Sequence, residues 1–371
     1  MSVNVHFHEK TLEALVGGYN SLDAEDLNIS DLEEAYAFMR AYGFEPDNDP
    51  QMLDLWRFHR RAVTFIQTEL LEEGEVFPES LSDPNQLKDL AYLLIYASTS
   101  DRRENSMQRW ACSVLKVMHV LVHLDKDLFT HYSHQIQDQI LAPFKQHIYQ
   151  DPTMGTYLGS PGSHNSISLK KYDIKPFKTS KSSITKLLAK PDEVAFSLLD
   201  KMGIRFVTKS LFETFGVLRY LVQNSIVSVP HVVTDQSNNT LYPLNLFIEV
   251  CESITKEQEL QANEIDALLK EKLEKESARA TYRKKLNQFS SQDYRFIKFI
   301  TRKLIRVPAE EGASPFSFFY PYEIQIVDYE TYLKNLGGGA SHAEYKKRQK
   351  RKARMRVLGY GYPSEKLQEE S

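Results

Sequence analysis

Along residues 30–95 the apolar side chains recur every three to four positions, the period of helices that each bury one stripe. "SDLEEAYAFMRAYGF" opens this stretch with Ser30-x-x-Glu33, which reads as a capping box, and the helical period resumes over 52–74. Residues 104–124, "ENSMQRWACSVLKVMHVLVHL", read as the most apolar helix, and the pattern predicts an all-helical front ending near Pro143. From Asp151 to Ser183 the period breaks down into Gly, Ser, Pro and Lys, the composition of a linker with room for one short strand. An alternation of helix and strand follows. It predicts a helix at 182–189, a strand "GIRFVT", a helix over 210–226, strands "DYRFIKFITRKL" and "FSFFYPYEIQIVD", and a last helix. Between the second helix and the next strand, Leu260, Ile265, Leu268 and Leu273 make a thin apolar stripe on a highly charged helix, which reads as a protruding insertion.

The expected organisation is therefore a helical N-terminal region (1–150), a linker (151–183), an α+β domain (184–356) carrying the insertion 254–288, and a tail (357–371). No internal repeat is visible. The 371 residues are 42% apolar and 26% charged, with no run of 18 apolar residues and no basic-then-apolar leader, so the expectation is a cytoplasmic protein without a membrane segment. Cys112 and Cys251 stand alone in apolar helical contexts and are expected to be buried, inert thiols.

Charge is uneven. Residues 1–100 hold 19 Asp/Glu against 6 Lys/Arg, whereas Ser341 to Arg356 holds eight Lys/Arg and one Glu. The run "YKKRQKRKARMR", residues 346–356 with the preceding tyrosine, is a candidate surface for RNA or another anionic partner, or else a solvated helix face. His119 and His123 sit one helical turn apart, with His131 and His134 nearby in sequence, but no His-Glu-x-x-His and no carboxylate in register accompanies them. They read better as histidines at the seam between the helical front and the following α+β domain than as a metal site. His6 and His8 read as part of a frayed terminus or edge strand.

Two carboxylates carry the candidate chemistry. Asp200 stands just ahead of the strand that begins near Gly203, and Glu323 in "YEIQI" alternates with Ile324 and Ile326, so it faces away from the side those isoleucines cover. Carboxylates on neighbouring strands can share Mg²⁺ and leave coordination positions for phosphate oxygens.

Asp200-x-x-x-x-Arg205, "YEIQI" and "GGASHAEYK" together resemble the RelA/SpoT-type (p)ppGpp synthetases of the nucleotidyltransferase superfamily, over roughly residues 170–350. His342 follows Glu323 nineteen residues later, a spacing similar to the family's. The resemblance implies a nucleotidyltransferase-like mixed sheet flanked by helices, and Mg²⁺-dependent transfer of pyrophosphate from ATP to a ribose 3′-hydroxyl. It implies Asp200 and Glu323 as metal and catalytic residues. It also implies nucleotide contacts from Lys178, Ser182, Lys186, Arg205, Tyr294, His342, Tyr345 and Lys346. Departures from the family pattern fall on nucleotide recognition: Pro176 for an arginine, Asp293 for a glycine, Lys298 for a histidine, and Val327-Asp328 for Arg-Thr. The acceptor could then be a guanine or adenine nucleotide or the 3′ end of tRNA, or the chain could be a catalytically inactive nucleotide- or RNA-binding relative. The helical front has no His-Asp pair of the kind that marks a companion hydrolase in longer members.

Overall fold

The two longest strands, Ile297–Val307 and Phe316–Asp328, pair antiparallel along their whole length and form the spine of a seven-stranded mixed sheet. A computed structural model describes residues 29–98, 105–125, 128–153, 155–163, 165–175, 180–190, 199–255, 258, 260–284, 293–309, 314–337 and 342–359. The chain forms two units: one takes in 1–127, 179–198 and 346–371, the other 128–178 and 199–345. The fold is α+β, with thirteen α-helices and one mixed sheet among the described residues.

The first unit is helical. It contains α1 (Leu32–Tyr42), α2 (Asp49–Phe65, extended by one π turn), α3 (Glu79–Ser82), α4 (Pro84–Leu87), α5 (Ala91–Ser98) and α6 (Asn105–Asp125). The start of α1 differs by one residue from the expected capping box. Asp31 is the N-cap, its side chain accepting from the Glu34 amide, and Glu34 reaches back to the amide and hydroxyl of Ser30. The motif Ser-Asp-x-x-Glu offers two overlapping registers, and Asp31 takes the cap.

The second unit begins at α7 (Leu128–His147), so the expected boundary at residue 150 moves to the start of this helix. Three strands follow, β1 (Ile148–Asp151), β2 (Gly155–Leu158) and β3 (Ile167–Lys175), paired as an antiparallel meander. The expected linker 151–183 thus carries β2 and β3 of the sheet. Gly159, just after β2, shows why a glycine is needed in the turn. It adopts φ +88°, and a Cβ there would meet the Tyr220 ring at 2.9 Å. The rest of that segment leads into α8 (Ser180–Ala189), which belongs to the first unit.

β4 (Gly203–Thr208), α9 (Leu211–Gln223), β5 (Val232–Asn239), α10 (Leu244–Ser253), α11 (Ala262–Glu276), the paired strands, here β6 (Ile297–Val307) and β7 (Phe316–Asp328), and α12 (Tyr329–Leu336) complete the unit. The sheet order is β1-β2-β3-β4-β7-β6-β5, with β4 and β7 parallel and the other pairs antiparallel. Strand β5 escapes the sequence pattern because "VVTDQSNN" is mostly polar and half-exposed at the sheet edge, and α10 gives Cys251 the helical context its sequence neighbours suggest. α13 (His342–Leu358) crosses from the second unit to the first at Lys346.

Ile204, Phe206, Ile324 and Ile326 from one face of β4 and β7 are all fully buried in the core with Phe144, Val217 and Leu221. Each such side chain contributes about 1.5–3 kcal/mol relative to exposure. The charged insertion does not protrude. Ile265 and Leu269 of α11 are buried in this same core, with Leu260 and Leu273 packed against it, while Leu268 remains exposed. Of the two adjacent leucines, 269 lies four residues after Ile265 and shares its stripe. Asp266 ties α11 further to α9, its carboxylate accepting from the Leu211 and Phe212 amides at 2.8 and 2.7 Å.

Candidate functional site

The face of the central sheet opposite Ile324 and Ile326 is polar. Residues paired across a ladder share a face. The register therefore groups Asp173 and Lys175 of β3, Gly203 and Arg205 of β4, Glu323 and Gln325 of β7, and Lys298 of β6.

Glu323 is at the centre of this group, on an interior strand and only 5% exposed. Lys175 forms a short ion pair with Oε1, and Lys298 Nζ lies 3.3 Å from Oε2. Burial works to raise the proton affinity of this carboxyl, and the nearby Asp200 charge acts in the same sense, but Lys175 and Lys298 outweigh both and hold it well below the usual carboxylate range. The contribution of Asp200 places the two sequence-predicted carboxylates within electrostatic reach of one another. The link is short in the backbone too, because the Glu323 amide donates to Met202 O at 2.9 Å, two residues after Asp200. Lys201, between them, is buried, and burial pushes its ammonium down to about 8.

Lys175 reaches Glu323 from two strands away, a span of roughly 9–10 Å. Its path crosses Gly203, where a Cβ would lie 2.9 Å from the Lys175 Cδ. The glycine keeps the floor flat for the lysine stem. The sequence pattern alone does not single out Lys175 and Lys298 as site residues. The signal for Lys175 was the alternation "YDIK", which becomes legible only once 167–175 is recognised as a strand.

Beside the carboxylate, Arg205 Nε donates to Gln325 Oε1 at 3.0 Å, and Gln325 Nε2 donates to the Tyr294 hydroxyl at 3.3 Å. Asp173, paired with Arg205 in the ladder, is engaged by Lys171 at 3.0 Å. Of the sequence-predicted set, the second unit thus brings together Asp200, Glu323, Arg205 and Tyr294.

Of the remaining candidates, Ser182, Lys186 and Lys346 belong to the first unit. Ser182 and Lys186 lie half-buried on α8 of the first unit, whose buried face is Ile184, Leu187 and Leu188. Lys178 and the side chain of His342 lie outside the described residues. Tyr345 is half-buried and Lys346 exposed near the start of α13. The basic run divides by role. Lys346, Lys347, Lys350 and Arg351 are exposed, whereas Arg354 pairs with Glu72 and Glu75 at 3.2 and 2.5 Å and Arg356 donates to the terminal carbonyls of α8, Leu187 and Leu188, at 3.3 and 3.2 Å.

His119 and His123 pack edge to face with ring centroids 4.4 Å apart, and His119 Nδ1 is 2.8 Å from the Tyr42 hydroxyl. Burial, helped by His123, lowers His119 to about 4, which leaves it neutral over the physiological range. His6 and His8 lie outside the described residues. Among the described residues no three His, Cys, Asp or Glu side chains cluster as a metal site, and Cys112 and Cys251 are half-buried, not fully buried, thiols. No described helix is long and apolar enough to cross a membrane.

No protein-family model matches the chain, and no curated protein matches it. Among solved structures it is similar to a GTP pyrophosphokinase family protein from Streptococcus pneumoniae, at 14% sequence identity, over 61% of this chain and 86% of that one, with a TM-score of 0.26. A likeness of that size carries no argument about activity.

Proposed function

We propose that the polar face around Glu323 is the site of a Mg²⁺-dependent transfer of a pyrophosphoryl group from ATP to a ribose 3′-hydroxyl. The observation that carries this reading is the parallel pairing of β4 with β7, in which Gly203 aligns with Glu323 and the Asp200 charge comes within reach of the buried glutamate. Asp200 and Glu323 would hold the metal. Two hard carboxylates suit Mg²⁺, an ion that keeps water and phosphate oxygens in its other positions. When bound, the ion would supply charge neutralisation on the transferring phosphates.

The chain's own residues supply position and positive charge. Lys175 and Lys298 keep Glu323 ionised, and a carboxylate held so far below its usual range is a weak general base, which favours the ligand and electrostatic role over proton abstraction. Arg205 and the same two lysines offer cations to phosphate oxygens in an in-line transfer that depends on alignment more than on covalent catalysis. The acceptor is proposed as a guanine or adenine nucleotide, or the 3′ end of tRNA.

One observation favours a second reading, a catalytically silent nucleotide- or RNA-binding protein. Both Glu323 oxygens are already engaged by ammonium groups, one of them Lys298 at a position where the resembled family has histidine. Incubation with terminally labelled ATP, Mg²⁺ and GDP, GTP, AMP, ATP or tRNA, followed by chromatographic separation, decides between them. The expected outcome is label on one acceptor, reduced at least about a hundredfold by Asp200→Asn or Glu323→Gln, the scale of about 3 kcal/mol of lost electrostatic stabilisation. Nucleotide binding without transfer to any acceptor establishes the silent reading instead.

A further inference from the structure

The Arg205–Gln325–Tyr294 chain has only one possible direction. A guanidinium donates and never accepts, so the end of the Gln325 amide that meets Arg205 Nε is the carbonyl oxygen, at 3.0 Å. The other end is then the NH2 group, which can only donate, and the Tyr294 oxygen 3.3 Å away must accept. The phenolic proton is left pointing elsewhere. Among the described residues it meets no protein acceptor, and the terminal nitrogens of Arg205 meet no hydrogen-bond or ion-pair partner. Gln325 itself is only 4% exposed on an interior strand, so the amide is held in place by the sheet.

We infer that Gln325 is a positioning residue that fixes Tyr294 as a hydrogen-bond donor toward the ligand and holds Arg205 with its terminal nitrogens open to an anionic oxygen. The ligand this face selects presents acceptors at both points: a phosphate-type oxygen at Arg205 and a lone pair, such as a carbonyl or ring nitrogen of a base, at Tyr294. The inference rests on the reading of this face as a nucleotide site but not on which reaction follows.

Gln325→Glu inverts the chain without changing its shape. A carboxylate accepts from both neighbours, so it keeps Arg205 and takes the phenolic proton of Tyr294. The difference Raman spectrum between each protein and its Tyr294→Phe counterpart isolates the Fermi doublet of this one tyrosine, whose intensity ratio is high for an accepting hydroxyl and low for a donating one. The ratio is expected to fall in Gln325→Glu. Calorimetry with ATP and GDP then completes a double-mutant cycle. Tyr294→Phe is expected to weaken binding about tenfold in the wild-type background and less than about twofold in Gln325→Glu, whereas a purely structural role gives equal losses in both. Equal losses, or an unchanged Raman ratio, overturn the inference. A falling ratio with no binding of either nucleotide supports the polarity of the chain and removes the nucleotide reading of the site.

Discussion

Two clusters of carboxylates and cations in the sheet-bearing unit use the same chemical groups in opposite surroundings. At the α10–α11 edge, Lys272 reaches Glu249 at 2.8 Å and Glu276 at 2.5 Å, and Arg279 adds Glu249 at 2.7 Å, with side-chain exposures from 25 to 59%. On the sheet, Glu323 is 7% exposed at its side chain and is engaged by Lys175 and Lys298. In both clusters the cations lower the proton affinity of the carboxyls, with Lys272 the main cause at Glu249 and Glu276. At the helix edge water already solvates every charge, so the ion pairs replace hydration of similar strength. On the sheet, desolvation opposes ionisation, and the lysines must be present before the carboxylate can be. Contact lists alone do not separate the two, whereas burial does.

The largest break in this comparison is Glu323→Ala. Removing one partner of a buried pair leaves two partly desolvated ammonium groups, and urea unfolding is expected to show a loss of about 3 kcal/mol. The same contrast appears in pH. Because Glu323 has a depressed folded pKa, its stabilising contribution is complete above the ordinary value of 4.5 and fades as the pH falls from there through the folded value. In metal-free buffer the wild type should lose stability across that acid range more steeply than Glu323→Gln, which has no proton to take up.

A smaller effect is expected from Gly203→Ala. The added methyl occupies the path of the Lys175 stem, and overpacking of this kind costs about 1–3 kcal/mol while loosening the pair without altering either charge. A crystal structure of the variant should show Lys175 displaced from Glu323. Asp266→Ala, which removes the carboxylate that caps α9 from a neighbouring helix, should cost about 1 kcal/mol in the same unfolding assay. Lys272→Ala is expected to leave the urea midpoint unchanged within error. A loss there comparable to that of Glu323→Ala would show that exposure does not separate the clusters.

Much of this arrangement is legible one strand at a time. The alternation of "FSFFYPYEIQIVD" marks the bounds of β7 and the face on which Glu323 stands, and "GIRFVT" marks β4. Local pattern fails where an element has weak periodicity or where its surroundings supply the burial. The meander β1–β3 hides in a segment dense with turn residues, and α11 has too narrow an apolar stripe to announce that it packs on α9 and α10. The capping register at Ser30 and Asp31 is ambiguous for the same reason, since both residues can begin a helix.

The sequence by itself determined which side chains share a face, because the periods of helix and strand are properties of the local backbone. It placed Asp200 at the mouth of a strand, Glu323 opposite an isoleucine face, and a basic run at 346–356. Only the tertiary structure decided that β4 lies beside β7, that Lys175 crosses Gly203 to reach Glu323, and that Arg354 and Arg356 are engaged within the helical unit. Those facts depend on strand order and on distances between residues far apart in the chain. The charge state of a carboxylate depends on them as well, because it is set by which cations the fold brings close and by how much water it takes away.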